Sequence, residues 1–350
     1  MPCGLHQGIL FYDMIEQAIL EITAELSQAK NIVIVPHKGP DGDAIGSTLG
    51  LMHFLKNKGH KVDVIAPNDY PRFLKWLPGN DDVIIYEKDK SNADKLINEA
   101  DLVFALDFNH LNRVGDMQDI LTASQAVFIM IDHHREPSDF ANYTYSDAEM
   151  SSTCEMVYHF INKLRAVEKI TPEIATCLYS GIMTDTGSFR FSATSAETHR
   201  VIAKLIDKGA VNHEIHNNIF DTFNENRLQL LGTALQNLRV KPEYKTAYIS
   251  LTQEELDKHN FQKGDTEGFV NYGLSIEGVV FAVIFIENKQ EEIIKISFRS
   301  KGNFNVNEFA RAHFEGGGHN NAAGGKSQLS MENTIVKFNS ILTEYEELKK

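Results

Sequence analysis

Short apolar runs that end in acidic or imidazole side chains constrain this chain more than any other feature. Ile32-Val33-Ile34-Val35 leads into His37, Asp41 and Asp43, Leu102-Val103-Phe104-Ala105-Leu106 into Asp107, and Ala126-Val127-Phe128-Ile129-Met130-Ile131 into Asp132-His133-His134. Tyr179-Ser180-Gly181-Ile182-Met183 runs in the same way into Asp185. Such runs read as strands of a parallel sheet covered on both faces. If their ends share one edge, the sheet gathers these ligand types into one cluster, where open α/β sheets place their chemistry. That predicts a metal-dependent hydrolase.

The rest of the first half supports this frame. Residues 14 to 28 carry helical spacing, Ile32 to Val35 reads as a buried strand, and Gly39-Pro40-Asp41-Gly42-Asp43 is a turn by composition. A helical pattern from Ala44 to about Lys58 stops at Gly59, and a second strand follows over Lys61 to Ala66, completing a βαβ unit. Apolar runs at 83 to 85, 102 to 106 and 127 to 131 extend a doubly wound, mostly parallel sheet. Helices are expected over 152 to 164, 171 to 184 and 195 to 208, and one over about 211 to 239 as a linker containing Leu228, Leu231, Leu235 and Leu238. Strands return at Thr246 to Leu251, Val279 to Ile286 and Ile293 to Phe298. The expected organisation is a catalytic domain over 1–208, a helical linker over 209–240 and a smaller α/β domain over 241–350.

Composition sets outer limits. Acidic residues exceed basic ones by 14, which argues against a broad basic surface for long duplex nucleic acid. A small anionic substrate is compatible, because bound metal would neutralise several carboxylates. The three cysteines, Cys3, Cys154 and Cys177, are odd in number and lack a C-x-x-C pair, so neither a disulfide framework nor a thiolate zinc site is expected. The first eight residues lack the basic start and apolar core of a secretion signal, and no run reaches the roughly 20 apolar residues of a membrane span. The expectation is a cytoplasmic protein with no membrane partner.

In His37-x-x-x-Asp41-x-Asp43, residues two apart in an extended loop point to opposite sides, so the two aspartates can serve different metals. Two metals about 3.5–4 Å apart suit phosphoryl transfer, and Asp107, alone at its strand end, is the natural bridging carboxylate. Histidine and aspartate without cysteine favour manganese or a similar divalent ion. His213 and His216 do not complete an H-E-x-x-H pattern and read as linker-helix residues.

These motifs resemble the DHH phosphoesterases: His37-Lys38-Gly39-Pro40-Asp41-Gly42-Asp43-Ala44-Ile45-Gly46-Ser47, then Asp107, Asp132-His133-His134 and Thr184-Asp185-Thr186-Gly187. Beyond them, Gly316-Gly317-Gly318-His319-Asn320-Asn321-Ala322-Ala323-Gly324 is similar to the signature loop of the DHH-associated C-terminal domain. The resemblance implies that His37, Asp41 and Asp107 hold one manganese, and that Asp43, Asp107, His133 and Asp185 hold the other. It implies that His134 faces the substrate and that Asp132 orients the histidine pair. It further implies an active site in the cleft between the domains, with Gly316, Gly317, Gly318 and His319 meeting the terminal phosphate. Arg113, Arg190 and Arg299 are further candidate phosphate ligands, and His110 and Phe189 are candidate neighbours of the site.

Within that family, the absence of membrane spans and sensory segments points away from membrane-bound cyclic dinucleotide phosphodiesterases. The lack of an extra oligonucleotide-binding domain points away from long single-strand exonucleases. The glycine loop separates the chain from manganese pyrophosphatases. The resemblance then implies a compact two-domain enzyme, possible as a homodimer by likeness only, that hydrolyses very short oligoribonucleotides and 3′-phosphoadenosine 5′-phosphate. Hydrolysis of cyclic dinucleotides or of another small phosphorylated metabolite is the enzymatic alternative, and a nucleotide-binding regulator the non-enzymatic one.

Overall fold

The computed structural model describes residues 17–349, so Cys3, the first eight residues and the start of the 14-to-28 helix lie outside it. The chain forms two compact units, Met1–Thr222 and Phe223–Lys350. Among the described residues, no helix is long and apolar enough to cross a membrane.

In the first unit, helical residues 17–25 (α1) precede six strands: β1 (Asn31–Pro36), β2 (Lys61–Ala66), β3 (Ile84–Ile85), β4 (Leu102–Leu106), β5 (Val127–Asp132) and β6 (Tyr143–Ser146). Every pairing is parallel and the order is β3-β2-β1-β4-β5-β6. The chain winds outward from β1 in one direction and from β4 in the other, which makes the β1/β4 boundary the topological switch point. The apolar runs are continuous because both faces are covered. Ile32, Ile34, Phe104, Ile129 and Ile131 enter one core, and the alternating Val33, Val35, Val103, Ala105 and Met130 enter the other.

Helices α3 (Lys90–Asn98) and α4 (Gln118–Ala123) lie in the connections before and after β4, and three others carry the sheet's functional edge: α2 (Gly42–Asn57), α5 (Thr153–Lys163) and α6 (Pro172–Asp185). Gly42, Gly46 and Gly50 make one stripe along α2, and α6 lies directly against it. A Cβ on Gly42 would stand 2.3 Å from Thr184 Oγ1, and one on Gly46 would stand 2.6 Å from the Cys177 carbonyl oxygen. Gly181 on α6 receives α5 in the same way, its Cβ position lying 2.2 Å from Cys154 Sγ. Small residues therefore let these helices approach until the polar ends of α2 and α6 share one site.

Two sequence expectations need correction here. Tyr179–Met183 is not a strand; it lies in α6, so Asp185 arrives from the end of a helix, as the helical spacing over 171 to 184 implied. The ambiguity has a physical cause, because a helix buried on all sides presents the same unbroken apolar run as a buried strand. Asp43 likewise sits in the first turn of α2 and not in an extended loop. It parts from Asp41 because Asp41 is the N-cap, outside the helical backbone.

Helices α7 (Ala196–Asp207) and α8 (Asn212–Phe220) complete the first unit. The single helix expected over 211 to 239 is two, since Asn224 restarts the chain as the N-cap of α9 (Glu225–Gln236) by accepting the Arg227 N–H. The second unit has β7 (Arg239–Lys241), β8 (Thr246–Leu251), β9 (Phe281–Asn288), β10 (Ile293–Ser300), β11 (Gly317–Gly318) and β12 (Ala322–Ser327), ordered β11-β12-β10-β9-β8-β7. Only the β8–β9 pair is parallel. One face packs on α9, α10 (Gln253–Lys258) and α11 (Phe269–Leu274), the other on a phenylalanine-rich core with α12 (Val306–His313) and α13 (Met331–Leu342).

Candidate active site

The ends of β1, β4 and β5 meet the termini of α2, α5 and α6 at the switch point, and their polar side chains converge on Asp107. His37 Nε2 lies 3.5 Å from Asp107 Oδ2 and 4.0 Å from Asp41 Oδ2. His133 Nε2 lies 3.6 Å from Asp107 Oδ1, 3.8 Å from Asp43 Oδ2 and 3.5 Å from Asp185 Oδ2. The donor atoms of His37, Asp41 and Asp107 fall within 4.8 Å of one another, as do those of Asp43, Asp107 and His133, and the two sets share Asp107. Such spacing and an oxygen–nitrogen donor set fit two divalent cations held side by side.

Both histidines are aimed by the main chain. The Nδ1 of His37 bonds the Lys38 carbonyl at 3.0 Å and that of His133 bonds the Met150 carbonyl at 3.2 Å, which turns each Nε2 into the cluster. A ligand histidine is normally tied down in this way through its other nitrogen. His134 is held differently: its Nδ1 lies 2.7 Å from Asp132 Oδ1, and its backbone N–H donates to Asp132 Oδ2 at 3.1 Å. Asp132 thus positions His134, while His133 takes its orientation from the Met150 carbonyl.

Asp107 itself adopts φ of +65°. A non-glycine residue pays backbone strain of order 1 kcal/mol or more in this region, and such strain gathers at functional positions. Thr153 Oγ1 donates to Asp107 Oδ1 at 3.0 Å. Asp43 is gripped by the N-terminus of α5, where the Thr153 and Cys154 N–H groups donate to its two oxygens at 2.6 and 2.8 Å. The helix expected over 152 to 164 is present, but sequence reasoning missed Thr153 and this helix end as parts of the site. The visible signal was Ser151-Ser152-Thr153, a helix-start composition directly after the Asp-His-His segment.

The electrostatics of the cluster favour added positive charge. Burial lowers the affinity of His37 for a proton, yet its hydrogen bond with Asp107 and the charges of Asp41 and Asp107 outweigh this and raise its pKa to about 9. His133 is also raised to about 9, burial being overcome by Asp185, Asp107 and Asp43. Burial and the neighbouring charges of Asp107 and Asp185 push the Asp43 carboxyl well above its usual range. Asp185 is raised to about 7 by burial, with Asp41 and Asp107 adding to the shift against the opposing charge of His133. Only Asp107 is driven down: its burial is outweighed by the His37 hydrogen bond and the charges of His134, His37 and His133. A buried carboxylate cluster that draws protons onto its own members is one that a divalent cation would stabilise.

Arg113 is half-buried next to the cluster, close enough for its charge to oppose protonation of His37, and its carbonyl accepts the Lys38 N–H at 2.7 Å. Arg190 is exposed and its Nε donates to the Gly187 carbonyl at 2.7 Å. His110 is half-buried, Phe189 packs on Tyr179 and His199, and His213 and His216 are exposed on α8. In the second unit, Arg299 is the penultimate residue of β10, half-buried. The glycine segment there is a hairpin and not an open loop, with Gly317 and Gly318 paired to Gly324 and Ala323. Gly316 and Gly318 are required by close backbone, since their Cβ atoms would stand 2.0 Å from the Gly324 oxygen and 2.6 Å from the Ala322 oxygen. The Gly318 N–H donates to Asn307 Oδ1 and the His319 N–H to the Ala322 carbonyl, while the open side of Gly317 faces Asn307 and Arg311.

A doubly wound domain with carboxylates and imidazoles collected at its switch point has the build of a hydrolase acting on phosphate esters. Residues 31–182 match the DHH family, N-terminal domain, and residues 243–346 match the DHHA1 domain. The chain is 33% identical over 310 residues, 87% of each chain, to the bifunctional oligoribonuclease and PAP phosphatase NrnA of Thermus thermophilus. It is 28% identical to the Bacillus subtilis protein of the same name, covering 87% of this chain and 91% of that one. Among solved structures, an exopolyphosphatase-related protein from Bacteroides fragilis superposes with a TM-score of 0.91 at 45% identity, covering 95% of this chain and 97% of that one. The chain belongs to the DHH family of phosphoesterases.

Proposed function

We propose that this enzyme hydrolyses very short oligoribonucleotides to mononucleotides and 3′-phosphoadenosine 5′-phosphate to AMP, using two divalent ions, manganese in this reading. Its overall similarity to relatives named for those two activities supports the substrate class. The observation that carries the chemistry is the shared Asp107, within 3.5–3.7 Å of imidazole nitrogens of His37, His133 and His134. In this assignment His37, Asp41 and Asp107 hold one ion, and Asp43, Asp107, His133 and Asp185 the other. Together the ions would supply an activated water and charge for the attacking and leaving oxygens.

The chain's own groups do the rest. Asp132 fixes His134 through Nδ1, so the ring presents Nε2 to a phosphoryl or leaving-group oxygen and donates a proton or hydrogen bond there. Arg113, Arg190 and Arg299, with Gly316, Gly317, Gly318 and His319, bind substrate phosphates in this reading, and Arg311 beside Gly317 joins them. A surplus of 14 acidic residues favours a substrate with few phosphates over a long strand.

The test is Asp107→Asn, which keeps the side chain's size and a residue type that tolerates left-handed backbone. Hydrolysis of a diribonucleotide in manganese should fall at least about 100-fold, the upper end of what loss of a ligand's supporting partner costs. Circular dichroism should stay that of the parent. Substantial retained turnover would overturn the shared-carboxylate assignment.

A further inference from the structure

Ser152-Thr153-Cys154-Glu155 has the S-x-x-E form of a capping box, in which the glutamate returns to the backbone N–H of the cap. Half of that box forms: the Ser152 hydroxyl accepts the Glu155 N–H at 3.0 Å. The Glu155 carboxylate turns elsewhere. Its Oε2 accepts the hydroxyls of Ser151 and of Thr198, the latter at 3.0 Å, and its Oε1 lies 3.7 Å from His159 Nε2. Glu155, Ser151 and Thr198 are 2%, 3% and 0% exposed. Despite burial, these hydroxyl bonds and His159 hold the carboxyl below its ordinary range, so an ionised glutamate is built into the core.

Thr198 is itself the third residue of α7, tied to the Ser195 cap in a complete capping box. Glu155 therefore joins the first turns of two helices and the residue before the α5 cap. The α5 turn it anchors is the one whose N–H groups hold both oxygens of Asp43 and whose Thr153 hydroxyl holds Asp107. The carboxylate thus bonds side chains from outside its own helix, which helix capping alone would not require, and a buried carboxylate is costly unless such partners satisfy it.

We infer that Glu155 is a positioning residue that sets the α5 N-terminus against Asp43 and Asp107 and so tunes one cation site more than the other. The inference rests on the two-ion reading above. Asp43 belongs to only one ligand set, whereas His37 and Asp41 belong to the other and do not touch α5 through any of these bonds.

The experiment is titration of the full chain with Mn2+ alone, followed by calorimetry and by the electron paramagnetic resonance of bound manganese, for the parent, Glu155→Ala and Glu155→Gln. The expected result is two ions on the parent and, in Glu155→Ala, one site weakened about 10- to 100-fold while the other stays near the parent value. Glu155→Gln, whose amide oxygen can still accept both hydroxyls, should recover most of the loss. Thr198→Val, which removes one donor and leaves the carboxylate, should fall between them and serves if Glu155→Ala does not fold. Parent-like binding of both ions in Glu155→Ala or Thr198→Val would overturn the inference, as would equal weakening of both sites without recovery in Glu155→Gln. A parent that binds no manganese would instead overturn the two-ion reading itself.

Discussion

Cation binding to this site should be coupled to pH, and the coupling can be worked from the geometry. His37 and His133 each turn Nε2 into the carboxylate cluster and have pKa values near 9, so each must lose a proton before that nitrogen can hold a cation. At pH 7 a group with a pKa near 9 is deprotonated about one time in 100, so protons weaken apparent binding by about 100-fold per histidine, or about 2.7 kcal/mol. The sign follows directly: raising pH tightens binding, by about tenfold per unit for each ion, until the histidine pKa is reached. Asp185, raised to about 7, adds a further fraction of a proton at the site of His133. Calorimetric titration with Mn2+ between about pH 6.5 and 8, in paired buffers of different ionisation enthalpy, measures both affinity and proton release. About one proton should leave with the ion at His37, and more than one with the ion at His133, where Asp185 and the raised Asp43 carboxyl also give up protons. A dissociation constant that does not move with pH, with no proton release, would refute the assignment of His37 and His133 as ligands.

Gly46→Ala tests the helix contact that builds the site: alanine is the better helix former, yet a Cβ 2.6 Å from the Cys177 carbonyl should force α2 and α6 apart. Thermal or denaturant unfolding should show a loss of about 1–3 kcal/mol, and a gain would mean the helices are not in close contact. In the metal-free protein, His37 and His133 have folded pKa values above their ordinary 6.5, so their contribution to stability is complete below pH 6.5 and is lost as pH rises through about 9. Melting temperature in chelator should therefore fall across that window, and a flat or rising profile would count against the shifts. His319→Ala should raise KM for short RNA with little change in kcat, whereas an unchanged KM would assign the glycine hairpin a purely structural part.

Much of the first unit was legible because its strands are buried on both faces, which leaves unbroken β-branched and apolar runs, and because ligand residues stand at their ends. The same logic misplaced Asp185, since α6 is buried all round and reads like a strand until its length is considered. Asp43 was read into a loop because Gly42 conceals the start of α2; a glycine there is demanded by Thr184 and not by a turn. Thr153 and Glu155 were not legible as parts of the site, because their roles depend on α5 arriving from more than 40 residues away. The linker helix was overextended because Ile215 and Ile219 before the break at Asp221-Thr222-Phe223 and the leucines after it read as one helical pattern, and Leu228 and Leu235 prove to be exposed. In the second unit, β12 is Ala322-Ala323-Gly324-Gly325-Lys326-Ser327, a composition with little strand propensity, and close backbone reaches it at Gly316 and Gly318 and at Gly325, where a Cβ would stand 2.9 Å from the Phe314 oxygen.

If this phosphoesterase acts on short RNA and a nucleoside bisphosphate with two bound cations, its products report it. The direct measurement is product release by the purified full chain in Mn2+ from a panel: ribonucleotides of about two to five units, a strand of about 24 units, 3′-phosphoadenosine 5′-phosphate, cyclic dinucleotides, polyphosphate and pyrophosphate. A two-cation phosphoesterase of this kind should release mononucleotides from the shortest RNAs and AMP from the bisphosphate, both lost in chelator and in Asp107→Asn, with the long strand turned over far more slowly. Turnover confined to polyphosphate or cyclic dinucleotides, or short-RNA hydrolysis that survives chelator, would contradict it.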